Sequence, residues 1–248
     1  MTQYTLKLIA MAVMLLDHFS AVVLRSGALR PWLGMALDWQ LQVWLEAVGR
    51  IAFPVFAWCT AVGCEKSGHP GKYLLRMAGF ALISEVPFQL AFHGSLAFRG
   101  QNVIFTLLLG VLAVYVGRLR IPHVPRWCLP AVTALGAVAL GWVLKTDYNG
   151  WGVALVLGLY YIRERKGKLL YLSAWITLFQ LIWHGWDGRT LVWLTGQGSL
   201  TVLYWLCCMA SVGLIAGCSG EQGKGNKWLF YVFYPTHLLV LYAMTLTI

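Results

Sequence analysis

Apolar runs of membrane length alternate with short polar breaks along almost the whole of this sequence. The runs cover 5–25, 41–64, 71–93, 102–120, 127–145, 150–163, 168–184, 199–217 and 227–248. Crossing the hydrocarbon core takes about 20 consecutive apolar residues in a helix, which satisfies its own backbone where water is absent. The runs therefore predict an all-α, polytopic transmembrane helix bundle of about nine spans. The sixth and seventh are short for a full crossing and are expected to tilt, re-enter or extend into their flanks. Arg30-Pro31, Ser67-Gly68-His69-Pro70-Gly71, Ile121-Pro122 and the stretch 217–227 carry the breakers between runs. No break is long enough for a second folded domain and no internal repeat is visible, so 1–248 is expected to form a single domain. The first run contains Asp17-His18 and is followed by no small-x-small cleavage pattern, so it reads as a retained helix and not as a signal peptide.

Composition strengthens this reading. Charged residues make up 11% of 248 positions and apolar ones 59%, and the mean hydropathy is +0.69. A soluble fold of this size needs a polar skin that such a chain lacks. The net charge of +10 does not indicate nucleic acid, because the cations sit in short loops and form no stripe. With alternating spans, the N-terminus and every second loop carry Lys7, Lys66, Lys72, Arg76, Arg118, Arg120, Arg126, Arg163, Arg165, Lys166, Lys168, Lys224 and Lys227. The opposite side has only Arg25, Arg30, Arg99, Lys145 and Arg189. This bias predicts a cytoplasmic N-terminus and an external C-terminus. Trp32, Trp39, Trp44, Trp183 and Trp186 are expected at the membrane interfaces. The six cysteines have no metal or haem spacing.

Ionisable groups inside apolar spans are costly and tend to face the bundle interior, where they mark function. Asp17-His18 late in the first span suggests a general base with a carboxylate that orients it, or a polar pair joining helices. Arg50 follows Glu46 by four residues, spacing that permits an ion pair; it also suits an anion clamp or oxyanion stabiliser. Pro54 follows Arg50, Glu85 precedes Pro87, and Pro235 precedes His237. This recurrence of proline beside an ionisable residue suggests broken helices around a polar cavity. Asn102 and the Asp147-Tyr148-Asn149 segment read on their own as cap and turn residues. With the inferred topology these groups converge on one zone nearer the outside. His18, His237, Asp17 and Glu85 could ligate a metal by residue type, but no spacing demands it, and no metal is expected. Motifs for ATP hydrolysis and dinucleotide binding are missing.

The segments MLLDHFSAVVL, GRIAFPVFAW, QNVIFTLLLG, TDYNGWGVALVL and FYPTHLLVLY, in this order, resemble the TraX family of integral membrane proteins. The founding activity of that family is acetylation of a conjugative pilin N-terminus, and the family looks related to membrane acyltransferases of the acyltransferase-3 type. The resemblance spans nearly the full chain and implicates Asp17, His18, Gly49, Arg50, Phe53, Pro54, Asn102, Phe105, Tyr148, Gly150 and His237. It implies a multi-pass cell-membrane acyltransferase that takes acetyl from acetyl-CoA. The acceptor would be an amine or hydroxyl near the outer face, on a protein N-terminus, a glycan or a small amine.

The expectation that follows has His18 as base, with His237 as its alternative or relay partner. Asp17 or Glu85 orients the histidine, and Arg50, Tyr148 or Asn102 holds the donor or the oxyanion, with Asp147 nearby. The basic loop Arg163-Arg165-Lys166-Lys168 would attract the coenzyme phosphates. A small-molecule transporter with a midplane polar site is the alternative, and an intramembrane metallohydrolase a more distant one.

Overall fold

The computed structural model describes residues 1–186 and 198–247, with the side chains of residues 183–186, 198, 199 and 227 outside the description. Arg189, counted above among the external cations, also lies outside it. Regular structure in the described residues is helical. The order is α1 (Gln3–Phe19), a π-helical turn (Ser20–Leu24), α2 (Arg30–Gly49), α3 (Ala52–Lys66), α4 (Pro70–His93), α5 (Val103–Gly117), α6 (Cys128–Val143), α7 (Asn149–Tyr161), α8 (Arg165–Trp186), α9 (Gly198–Ala216) and α10 (Lys227–Thr247). The helical stretches Gln3–Leu24, Arg30–Lys66, Pro70–His93 and Trp228–Thr247 are long and apolar enough to cross a membrane. Val103–Gly117, Cys128–Val143 and Leu200–Ala216 are apolar but shorter. Large apolar side chains such as Leu75, Leu135 and Val143 are exposed, an outer surface that suits lipid and not water.

The second apolar run departs from its expected form. Its helix begins at Arg30, eleven residues before the apolar stretch, and Gly34 interrupts it at φ 74° and ψ 159°, backbone that glycine adopts without steric cost. Across this break Arg30 Nε donates to Asp38 Oδ2 at 3.1 Å, and Gln42 Nε2 donates to the same oxygen at 2.9 Å. Helix α2 then ends at Gly49 and α3 starts at Ala52. Pro54 consequently occupies the first turn of α3, where a backbone N–H has no helical acceptor and its loss costs nothing. The kink expected at Pro54 is instead a helix boundary just before it. Pro87 and Pro235 do lie inside their helices.

The chain groups into two compact units, Met1–Phe56 with Leu169–Ile248, and Ala57–Lys168. In the first, α1 packs on α2 and α10, α2 packs on α9, and the π turn touches α2 and α10. In the second, α5 packs against α4, α6 and α7, and α6 against α7. Small residues allow these helices to approach closely. A Cβ on Gly110 would lie 2.8 Å from Val156 Cγ1, and one on Gly117 3.1 Å from Pro130 Cα.

Candidate active site: a buried histidine pair

Helix α1 carries His18 in its last turn, and the π turn begins two residues later. A π turn widens the helix by one residue and is frequent at functional sites. Here Arg25 N–H bonds back to Ser20 O at 3.0 Å. Ser20 is fully buried, and its Oγ donates to Gln42 O of α2 at 3.3 Å. The extra residue turns Arg25 toward α2, where its Nη2 donates to Glu46 Oε1 at 2.5 Å. The partner of Glu46 in the described ion pairs is thus Arg25 and not the i+4 residue Arg50.

His18 and His237 are both buried. His18 Nδ1 lies 2.7 Å from His237 Nε2, and the rings are 10° from parallel. The other nitrogen of His237, Nδ1, lies 2.8 Å from Phe233 O. A carbonyl oxygen only accepts, so His237 Nδ1 carries its proton and donates. In the neutral ring Nε2 is then unprotonated and accepts from His18 Nδ1–H. The chain of bonds therefore leaves the basic lone pair of the pair on His18 Nε2. Phe233 stacks on His237 at 4.6 Å, and Tyr234 presents its edge to both imidazoles at 6.1 and 5.6 Å. Pro235 sits in the same turn and has no N–H to give the preceding turn. Within that turn Thr236 Oγ1 donates to Val232 O at 2.8 Å.

Asp17 belongs to the same unit but does not hold the Nδ1 of His18. Its side chain lies against Gly49, where a Cβ would come within 2.6 Å of Asp17 Cγ and closer still to its Cβ and Oδ1. Only glycine leaves room there, which gives the Gly49-Arg50 dipeptide a physical meaning. Arg50 caps the C-terminus of α2, and its guanidinium lies 5.7 Å from the Tyr204 ring of α9. Cys208 Sγ, one turn further on, reaches Arg50 O at 3.5 Å. Phe53 is buried with its ring 6.1 Å from Trp175. Sequence reasoning missed Phe233, Tyr234, Tyr204 and Cys208, which carry no charge and no spacing signal.

The remaining candidates lie in the second unit. Glu85 and Asn102 are buried and bonded to each other. Glu85 Oε2 accepts from Asn102 N–H at 3.1 Å and from its Nδ2 at 2.7 Å, while Oε1 accepts from Gln89 Nε2 at 2.7 Å. Gln89 Nε2 also reaches Gly100 O. Asn102 is the N-cap of α5 through Oδ1, which accepts from Ile104 N at 3.0 Å, and Phe105 N bonds to Asn102 O at 3.0 Å. Tyr148 precedes α7 as its N-cap, and Asp147 is exposed. A Cβ on Gly150 would meet Val138 O at 2.6 Å, so this glycine is a packing requirement. Among the described residues no group of three or more His, Cys, Asp or Glu side chains is gathered to hold a metal ion.

A bonded imidazole pair lies buried among apolar helices long enough to cross a membrane, which defines a helical membrane protein. The chain belongs to the TraX protein family, whose model matches residues 2–245. It is similar to a probable fimbrial assembly protein FimC, serogroup H1, of Dichelobacter nodosus. The two are 28% identical over 259 residues, covering 96% of this chain and 93% of that relative. No solved structure matches it.

Proposed function

We propose that this protein is a multi-pass cell-membrane acyltransferase, one functional domain over 1–248, that moves an acetyl group from acetyl-CoA to an acceptor amine or hydroxyl. The observation that carries the reading is the His18–His237 hydrogen bond, with its fixed tautomers. His18 Nε2 takes the proton of the acceptor nitrogen or oxygen as that atom attacks the thioester carbonyl. The positive charge then spreads over two imidazoles and is stabilised by Phe233 O. Arg50 stabilises the tetrahedral oxyanion, as preorganised cations do. On collapse the carbon–sulfur bond breaks, and the leaving thiolate takes the proton from the His18 imidazolium. The acceptor is then acetylated and the histidine neutral again.

In this reading His237 orients His18, and Asp17 acts through its packing on Gly49 beside Arg50. Glu85 and Asn102 are assigned a holding role, because their hydrogen bonds go to each other, to Gln89 and to the cap of α5. For Asp147 and Tyr148 as substrate contacts, the support is the resemblance of the TDYNGWGVALVL segment. The name of the Dichelobacter relative directs the choice of acceptor toward a fimbrial or pilus protein.

The test is transfer of labelled acetyl from acetyl-CoA to a pilin acceptor by the purified protein in detergent. Transfer that depends on His18 supports the assignment. A folded protein that transfers nothing to amine or hydroxyl acceptors overturns it.

A further inference from the structure

The second unit gathers charge at one of its ends. There α3, α5 and α7 finish and α4 and α8 begin, and cross-helix contacts tie these ends together. Lys168 Nζ donates to Glu65 Oε1 at 2.5 Å and lies 5.7 Å from the Trp58 ring. Tyr73 and Tyr115 meet edge to face at 6.5 Å. Around them Lys66, Lys72, Arg120, Arg163, Arg165 and Lys166 are exposed. Of the acids on these same helix ends, Glu65 is paired with Lys168, leaving Glu164 against this excess.

Arg118 is the exception in this cluster, because its guanidinium is held. Nε donates to Tyr160 OH at 2.7 Å and Nη2 to Cys64 O at 2.8 Å. The guanidinium carbon lies 5.0 Å from the Tyr115 ring and 4.9 Å from the Tyr160 ring. Two of its five N–H groups are bonded in this way, and the residue is exposed. Topology requires only positive charge. It requires neither an aromatic cradle nor a fixed fork. A planar fork with free N–H groups, set in a field of cations, matches phosphate geometry.

We propose that this end of the second unit is a binding site for a phosphate-bearing ligand, with Arg118 as its geometric anchor and the exposed lysines and arginines as its field. The phosphates of a coenzyme A thioester and the headgroup of an anionic phospholipid offer the same chemistry. The proposal does not depend on acetyl transfer.

The experiment is thermal unfolding of the full chain in a neutral detergent. It is titrated separately with coenzyme A, with inorganic pyrophosphate and with short-chain phosphatidylglycerol, beside phosphatidylcholine as control. A saturable rise in melting temperature is expected with at least one phosphate ligand and not with phosphatidylcholine. A response to coenzyme A and pyrophosphate identifies a soluble source, and a response to phosphatidylglycerol alone a lipid one. Arg118→Lys, which keeps the charge and loses the fork, is expected to weaken that ligand at least tenfold. Tyr160→Phe, which frees Nε, is expected to weaken it several-fold, and it serves if the lysine variant does not fold. No saturable response to any of the three ligands overturns the proposal, as does unchanged affinity in the folded variants. Phosphate binding without acetyl transfer would instead count against the enzymatic reading alone.

Discussion

His18 Nδ1 and His237 Nε2 are 2.7 Å apart although 219 positions separate them in the chain. The bond joins the last turn of α1 to the proline-bearing turn of α10, and its direction is fixed by the carbonyl of Phe233. Removing either ring separates the chemical role from the structural one. His18→Ala is expected to lower acetyl transfer by roughly 10²–10⁴-fold, the range of general base catalysis. Membrane insertion should survive, with a lower melting temperature, because buried His237 Nε2 loses its donor. A variant with wild-type turnover would exclude His18 as the base.

Gly49→Ala drives a methyl group into the Asp17 side chain. Overpacking of this kind costs about 1–3 kcal/mol, so the melting temperature should fall. Asp17→Gly removes the obstacle. The double variant should therefore be less destabilised than the sum of the single ones, a coupling expected only for residues in contact. Additive melting shifts would mean that Gly49 does not need its small size for Asp17.

Asn102→Ala takes away the cap of α5 and leaves Glu85 short of one donor, the side-chain Nδ2. Only the side-chain bonds are lost, since Asn102 N–H remains. A lost cap is worth about 1 kcal/mol and an orphaned buried partner about 1–3. The outcome to look for is a lower denaturation midpoint with turnover per folded molecule unchanged. A variant of normal stability and no activity would move Asn102 into the catalytic machinery.

Pro54 and Pro235 should behave differently. Pro54→Ala changes a first-turn position and should leave melting and turnover close to wild type. Pro235→Ala restores a donor for Tyr231 O inside α10, straightens the turn that carries His237 and pulls the imidazole from its partner. Misplacement by about 1 Å can cost up to about 10²-fold in rate. Turnover should drop while the melting temperature holds or rises, measured on one purified batch. Equal effects at the two positions would contradict this account.

The apolar runs were legible because lipid demands uninterrupted hydrophobic length, and α4, α5, α6 and α10 sit close to where those runs lie. The stretch 30–40 was not read as helix, because it mixes Trp32, Gly34, Asp38 and Gln40 with no sustained apolar run. Its helix is held by the Arg30–Asp38–Gln42 contacts, which span the break at Gly34. For the site, intramembrane cost alone singled out His18, His237, Asp17, Arg50 and Glu85. Their partners were less visible. Local spacing suggested Glu46 with Arg50, and Asp17 or Glu85 was the carboxylate expected to orient His18. The π turn brings Arg25 to Glu46, and a helix from the far end of the sequence supplies the histidine's partner. Neither follows from neighbours in the chain.

The unit that holds the histidines is discontinuous, made of Met1–Phe56 and Leu169–Ile248, and the whole of Ala57–Lys168 lies between its two parts in sequence. During synthesis His18 thus emerges early and waits for more than two hundred residues before its counterpart leaves the ribosome. A nascent chain halted before α10 would hold His18 without its bonding partner, and on the proposed reading it would remain inert until that helix is translated.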